Sequence, residues 1–371
     1  MPATESDQDS SSSSSPAASP SMPPAKRPHE SQDAEDAPPK RPKTVQALPS
    51  YRLSQEFWYP EGNIVVIVAK VGHKLYLSRL KKYCKFFMKE FPDVPEQTVA
   101  EEDGSNEQHS EARQNYVLSG VSIADFVEVL RTLETPLRFN AEPMSQLVAL
   151  SLLRAGTRLK CDIALDAAKG RLRELWPTTP PDYEGQNAAT HPKDVWTVID
   201  TARKHGVPEV LKRALYALLL KPSAWERPPP GQKHARPGVQ VPTSDVLMLY
   251  HARHVLQREW QALLFVVPGE SGGRCVREAD AGADRCRVVE KEPRAMKWRS
   301  TLIHNGFWDK GAGDVIGYAG VVAEKMSAHA AEPAEKRVWC TLCLHERRAA
   351  FLAAREKWWG MLDELFGLPQ T

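Results

Sequence analysis

The sequence predicts an α+β fold, a small sheet covered by helices and followed by a mainly α-helical C-terminal region. Three observations predict it. The run Ile64–Val68 lies between the turn Glu61-Gly62-Asn63 and Gly72, and β-branched runs bounded by glycine favour strands. Further on, Phe126, Val129, Leu130 and Leu133 recur at three and four residues, the spacing of one helical face. From Pro177 onward the helical period dominates.

The chain has 371 residues, room for two or three domains with ample core. Its 42% hydrophobic and 26% charged fractions are those of a globular protein, and a net charge of +2 leaves any basic function local. No apolar run approaches the ~20 residues that cross a bilayer, and the polar start MPATESDQDSSSSSS lacks the layout of a secretory signal. No membrane partner is expected. Six unevenly spaced cysteines do not make a disulfide framework, so a reducing intracellular compartment is expected.

Residues 1–50 read as a disordered tail, rich in serine and proline and with almost nothing large and apolar to bury. It carries two basic clusters, Lys26-Arg27 and Lys40-Arg41-Pro42-Lys43. Their separation resembles a bipartite nuclear-import signal, which implies an importin as partner and the nucleus, with the cytoplasm, as location. Phosphorylation of the neighbouring serines would oppose such import through added negative charge.

Residues 51–176 read as the first domain. After the run Ile64–Val68 a reversal is expected through Lys70-Val71-Gly72, then alternating residues at His73-Lys74-Leu75-Tyr76. One helix follows with Leu77, Leu80, Cys84 and Phe87 on a face. The stretch from 92 to 115, with seven acidic residues and one arginine, is expected to be a mobile acidic loop. Next come the strand Tyr116-Val117-Leu118 and a helix opened by the capping-box-like Ser122-x-x-Asp125. Gln146 to Leu175 supplies two more helices, with Leu147, Leu150, Leu153, Ala155, Leu159, Ile163, Ala167 and Leu172 as their apolar positions.

This order of elements resembles a BTB/POZ domain. The family opens with Asp-Gly, an apolar strand, a second strand ending in a hydrophobic-x-hydrophobic-His step, and an LxxxSxxF helix. Glu61, Tyr76 and Cys84 depart from that pattern. Phe126, Leu130 and Leu133 occupy the apolar positions of its second block, where Glu134 replaces the usual Tyr. The resemblance implies a protein-interaction module rather than a catalyst. In the family's dimers the strand ahead of the core often swaps between subunits; here only Tyr51–Trp58 precedes it.

Residues 177–267 read as a helical BACK-like segment. Asp194 is placed to cap a helix through His205, closed by Gly206, and Pro208 suits the first turn of the next helix, with Val210, Leu211, Ala214, Leu215 and Leu218 apolar. A proline-rich break from Arg227 to Pro242 precedes a longer helix from near Ser244-Asp245 through Trp260. Residues 268–371 read as a cysteine-containing helical region, ending in an amphipathic helix from Arg347 to Leu368 with Phe351, Trp358, Leu362 and Leu365 as its stripe. The runs VIDTARKHGVPEVLKRALYALL and WWGMLDELFGLP resemble an expanded group of basidiomycete fungal BTB proteins.

Three features could carry chemistry, and each also has a structural reading. Cys340 and Cys343 form a CxxC, with His345 two residues on and Cys275 and Cys286 upstream. Two such pairs could close a structural zinc site, although ten residues between Cys275 and Cys286 are wide for a knuckle. The other reading is a pair of free thiols, one buried and one not; no other cofactor is expected. Gly269-Glu270-Ser271-Gly272-Gly273 matches GxSxG, and Leu263–Val267 before it could be a strand. The helix and β-α series that a nucleophile elbow needs do not follow, so a serine hydrolase through Ser271 is the least supported alternative. Gly311-Ala312-Gly313 has the wrong spacing for a dinucleotide loop.

The functional expectation is a non-enzymatic module that oligomerises and recruits partners. The resemblance implies a substrate adaptor of a cullin-RING ubiquitin ligase, with Val94 and Glu96 as a hydrophobic-x-Glu cullin contact. The alternative is a nuclear, transcription-associated scaffold. Without a zinc-finger array or a strongly basic helix, direct nucleic-acid binding is not expected.

Overall fold

The computed structural model describes residues 50–92, 114–135, 139, 142–183, 192–225, 240–269, 275, 286–287 and 291–369. The expected tail through residue 49 and most of the acidic loop, 93–113, lie outside them. The fold is α+β, a four-stranded mixed sheet with mostly helical surroundings.

Strands β1 (Arg52–Trp58), β2 (Ile64–Val68), β3 (Val71–Leu75) and β4 (Gln114–Val117) form the sheet in the order β1-β3-β2-β4. β2 and β3 pair antiparallel from Ile64 opposite Leu75 to Val68 opposite Val71. β1 lies parallel to β3, and β4 parallel to β2. All five residues of β2 are buried, as its unbroken β-branched run requires of a strand covered on both faces.

The reversal sits at Ala69-Lys70, ahead of the expected Lys70-Val71-Gly72. Both residues have positive φ, 42° and 67°, the pattern of a two-residue turn whose twist matches that of the strands it joins. Val71 and Gly72 therefore belong to β3, where the Tyr51 ring lies against Gly72. The alternation expected from His73 to Tyr76 is not realised, because β3 is buried throughout. Lys74 remains tolerable there because its ammonium donates to the Pro60 carbonyl. Tyr76 has left the strand and precedes the first helix.

The single helix expected from Leu77 is two, α1 (Leu77–Tyr83) and α2 (Lys85–Glu90). Cys84 between them is extended, at φ −122° and ψ 104°. The break has a tertiary cause: Lys85 N–H donates to the Lys160 carbonyl at 3.2 Å, and the unbridged Cys84 thiol is hydrogen-bonded with that of Cys161. Leu80, Cys84 and Phe87 still point into the core.

In α3 (Ile123–Glu134) the Ser122 hydroxyl accepts from Asp125 N–H at 3.1 Å, as expected. Asp125 is instead gripped by Arg154 of α4 (Gln146–Leu159) through two bonds of 2.9 and 2.6 Å. Burial pushes the Asp125 carboxyl upward, but hydrogen bonds from Arg154, Ser151 and Ser122 outweigh it and hold it below its usual range. α5 (Asp162–Leu175) packs on α4. Two of the apolar positions expected in these helices, Leu147 and Ile163, are exposed, because the buried stripe runs through Ala149, Leu150, Leu152 and Leu153 in α4 and through Ala164, Ala168 and Leu172 in α5.

α6 (Pro192–His205) begins two residues before Asp194, which lies in its first turn rather than at its cap. Gly206 follows at φ 67°, a conformation that costs a side-chain-bearing residue about 1 kcal/mol or more. A 3-10 turn at Pro208–Val210 leads into α7 (Leu211–Leu219). α8 (Thr243–Phe265) takes in most of the strand expected at Leu263–Val267. Then come α9 (Lys291–His304), α10 (Phe307–Gly311), α11 (Val315–Ala331) and α12 (Thr341–Leu365). α12 starts six residues ahead of the expected Arg347. Gly311 lies directly on the Trp260 indole, where a Cβ would overlap the ring; that contact accounts for a glycine the dinucleotide pattern would have claimed. One hydrophobic core runs from Phe57 to Phe366.

Two predictions follow from the sheet. His73 is 1% exposed and packed near Phe57 and Phe126, and burial pulls its pKa from 6.5 to about 4, against the upward influence of Glu56. Between those pH values the unfolded chain binds the proton and the folded chain does not. The stability is therefore present above pH 6.5 and is lost as pH falls toward 4, by at most about 3 kcal/mol. His73→Leu should flatten the urea midpoint over that window; an unchanged slope would assign the titration to another group. At the hairpin, Ala69→Asn with Lys70→Gly should raise stability by about 1 kcal/mol, because both replacements accept positive φ. A lower urea midpoint would contradict the turn geometry.

Candidate metal centre

The two cysteine pairs, far apart in sequence, meet at the N-terminus of α12. Cys275, Cys286, Cys340 and Cys343 are all buried, and their sulfurs lie within 4.8 Å of one another. Cys275 Sγ is 3.7 Å from Cys340 Sγ and 3.9 Å from Cys343 Sγ, and Cys286 Sγ is 3.8 Å from Cys343 Sγ. A disulfide needs about 2.05 Å, so none of these pairs is bonded. The edge of a tetrahedron with metal–sulfur bonds of about 2.3 Å is about 3.8 Å. Three of the six sulfur–sulfur separations match that edge and all six are within 4.8 Å, a spacing at which one ion can be surrounded by all four sulfurs.

Local structure explains how a CxxC reaches this geometry. Cys340 is the N-cap of α12, and its side chain does not cap the helix. Cys343 lies one turn on, on the same side. The Cys340 N–H donates to Cys286 Sγ at 3.2 Å, and Arg287 N–H donates to the Val338 carbonyl at 3.0 Å. Main-chain bonds thereby dock the Cys286 position beside Cys340. The exposed and buried thiols expected for a simple CxxC are corrected here, since Cys340 and Cys343 are each 0% exposed. The wide spacing of Cys275 and Cys286 does not prevent convergence, because each meets the CxxC from its own position in the chain. His345 points outward, exposed, and is not in the cluster.

The walls are cationic and aromatic. Arg294 of α9 is fully buried, donates to the Pro268 carbonyl and to Cys343 Sγ (3.9 Å), and stacks on Trp339 at 4.9 Å. Trp298 meets Trp339 edge-on at 6.1 Å. Arg347 lies 4.6 Å over Phe351 and donates to the Leu263 carbonyl; burial alone lowers its pKa to about 10. Hydrogen bonding with the Cys340 and Cys343 sulfurs, the Cys340 N–H and Arg294 pulls the Cys286 thiol below its ordinary range, against its burial. Four sulfur donors in one shell leave no open position, so the arrangement can hold an ion but offers no place for a substrate on it.

The other expected site residues fare differently. Lys26, Arg27, Lys40, Arg41 and Lys43, together with Val94, Glu96 and Ser271, lie outside the described residues. The strand that would lead into Ser271 is absent, because α8 continues through Phe265. Comparison with protein-family models, with curated proteins and with solved structures gave no match.

Two features had little signal in the sequence. Cys161, at the N-cap position of α5, is hydrogen-bonded with Cys84; the two are 77 residues apart, so only the tertiary fold brings them together. A cavity of about 330 Å³ opens beside Tyr216, Arg253, Gln257 and Asp314. Its buried polar pair is structural: the Tyr216 hydroxyl donates to Asp314 Oδ1 at 2.6 Å and accepts from Ile316 N–H at 3.1 Å. Burial, with Asp314 adding to it, holds that phenol protonated.

All six cysteines are unbridged and buried. The native chain should therefore react slowly with an aqueous thiol reagent and release six equivalents in denaturant containing a chelator. Fewer than six in denaturant would reveal disulfides.

Proposed function

We propose that the chain is a non-enzymatic protein-interaction module, in which residues 51–176 form a BTB/POZ-like domain that self-associates and recruits a larger complex. The main support is the order of elements. The hairpin β2–β3, the helices α1–α2, β4 beside β2, then α3 and the pair α4–α5 follow the order in which the BTB-resembling blocks occur.

The edge strand supplies the surface. β1 meets β3 at Arg52–Val71, Leu53–Gly72 and Trp58–Lys74, with the register broken between Leu53 and Trp58. Most of β1 is solvent-exposed, Leu53 at 56%. An edge strand so loosely held invites pairing with another chain, and it lies where the family resemblance implies strand exchange between subunits. The reading is of an adaptor that presents substrates to a cullin-RING ubiquitin ligase. The basic clusters Lys26-Arg27 and Lys40-Arg41-Pro42-Lys43 favour a second reading, a nuclear transcription-associated scaffold reached through importin.

The test is proximity labelling and pull-down of the full chain with mass spectrometry, paired with light scattering. Enrichment of a cullin supports the adaptor, and self-association with chromatin proteins but no cullin supports the scaffold. A monomer enriching neither overturns the interaction reading of residues 51–176. Leu53→Asp should shift a self-associated species to monomer while leaving the thermal transition within about 0.5 kcal/mol of wild type, as for an exposed substitution. A dimer that survives it would place the interface elsewhere.

A further inference from the structure

We propose that Cys275, Cys286, Cys340 and Cys343 bind one zinc(II) ion as a closed tetrathiolate centre that fastens the Cys275 and Cys286 positions to the N-terminus of α12. The sulfurs come from both sides of α9 and α11 in sequence, yet three of their separations, 3.7, 3.8 and 3.9 Å, fall on one tetrahedral edge length. A two-iron cluster would interpose sulfides and push thiolates on opposite irons further apart than this set, in which every sulfur lies within 4.8 Å of the others. One ion fits the space. Sulfur-only donors in tetrahedral array suit zinc, which has no geometric preference of its own to resist them.

A second observation points to the same ligand. The groups turned toward the sulfurs are donors and a cation: the Cys340 N–H on Cys286 Sγ and the Arg294 guanidinium on Cys343 Sγ. Zinc with four thiolates carries two net negative charges, and a fully buried guanidinium beside it offsets one of them. The N-terminus of α12 presents its positive end to Cys340 and Cys343. Arg294 acts through the thiolates as a positioning residue. Each thiol still protonated gives its proton to solvent on binding, with no change of oxidation state.

The experiment uses the full chain, purified without chelator, with metal measured by mass spectrometry after exhaustive desalting. One zinc per chain is expected, released in proportion as an organomercurial titrates the thiols. Cobalt(II) exchanged into the centre should give the intense visible bands of a tetrahedral tetrathiolate. Cys343→Ser should lose the ion, whereas His345→Ala, at an exposed position beside the cluster, should keep it. Arg294→Met should weaken zinc binding by roughly 10-fold to 100-fold in competition with a chromophoric chelator, the usual effect of losing an outer partner. Metal-free wild-type chain that takes up no cobalt overturns the proposal, whether its four thiols are free or joined in disulfides. So does iron in place of zinc, or retention of zinc by Cys343→Ser. Because wild type alone gives the metal count and the cobalt spectrum, a variant that fails to fold leaves the decision intact.

Discussion

The C-terminal half of the molecule depends on how the end of α8 is satisfied. A helix end leaves carbonyls without intrahelical partners, and burying them bare is costly. Near the end of α8 the Leu263, Leu264 and Pro268 carbonyls accept from Arg347, Trp298 and Arg294. Those three side chains come from α12 and α9, so closing one helix end brings two others to it. Cations are also the groups that a helix C-terminus favours. With Trp339 they form one stack of cations and indoles: Arg347 lies 5.8 Å over Trp298, Trp298 meets Trp339 edge-on, and Arg294 lies over Trp339. The cysteine cluster lies against that stack, and Arg294 touches both.

From that point α12 distributes the constraint along its length. Its first turn holds Cys340 and Cys343, and Arg347 follows one turn later. Arg355 donates to the Pro181 carbonyl and pairs with Asp182 at 2.8 Å. Trp359 Nε1 donates to the Thr178 carbonyl at 2.6 Å, and Asp363 pairs with Lys212 at 2.8 Å. A single 25-residue helix thereby ties the cysteine cluster to the chain that leaves the sheet-bearing half. Between these polar contacts Phe351 and Trp358 pack on Trp260, with ring centroids 5.9 and 6.2 Å apart. The ion pair of Arg203 with Asp245, at 2.7 Å, performs a similar linkage between α6 and α8.

Much of the first half was legible because its signals are local. The run Ile64–Val68, the Ser122 cap, the Phe126–Leu133 face and Gly206 each depend on a few neighbouring residues, and each appears where periodicity placed it. The misses share a cause. The break at Cys84 comes from Lys160 and Cys161, more than seventy residues away in the chain. The burial of Lys74 depends on a carbonyl in the preceding loop. Leu263–Val267 looked strand-like by composition, yet the helix continues through Phe265, where Arg347 and Trp298 donate to the Leu263 and Leu264 carbonyls.

By itself the sequence determined the α+β class, the hairpin, most helix positions and the residue types able to ligate an ion, since propensity and period are properties of short segments. Tertiary structure alone decided that Cys275 and Cys286 converge with Cys340 and Cys343. The sulfur–sulfur separations of 3.7, 3.8 and 3.9 Å are set by α9, α12 and the end of α8 packing together, and no spacing in the chain encodes them. The same packing turned Arg294 inward, where a surface reading of a charged residue would have left it in water.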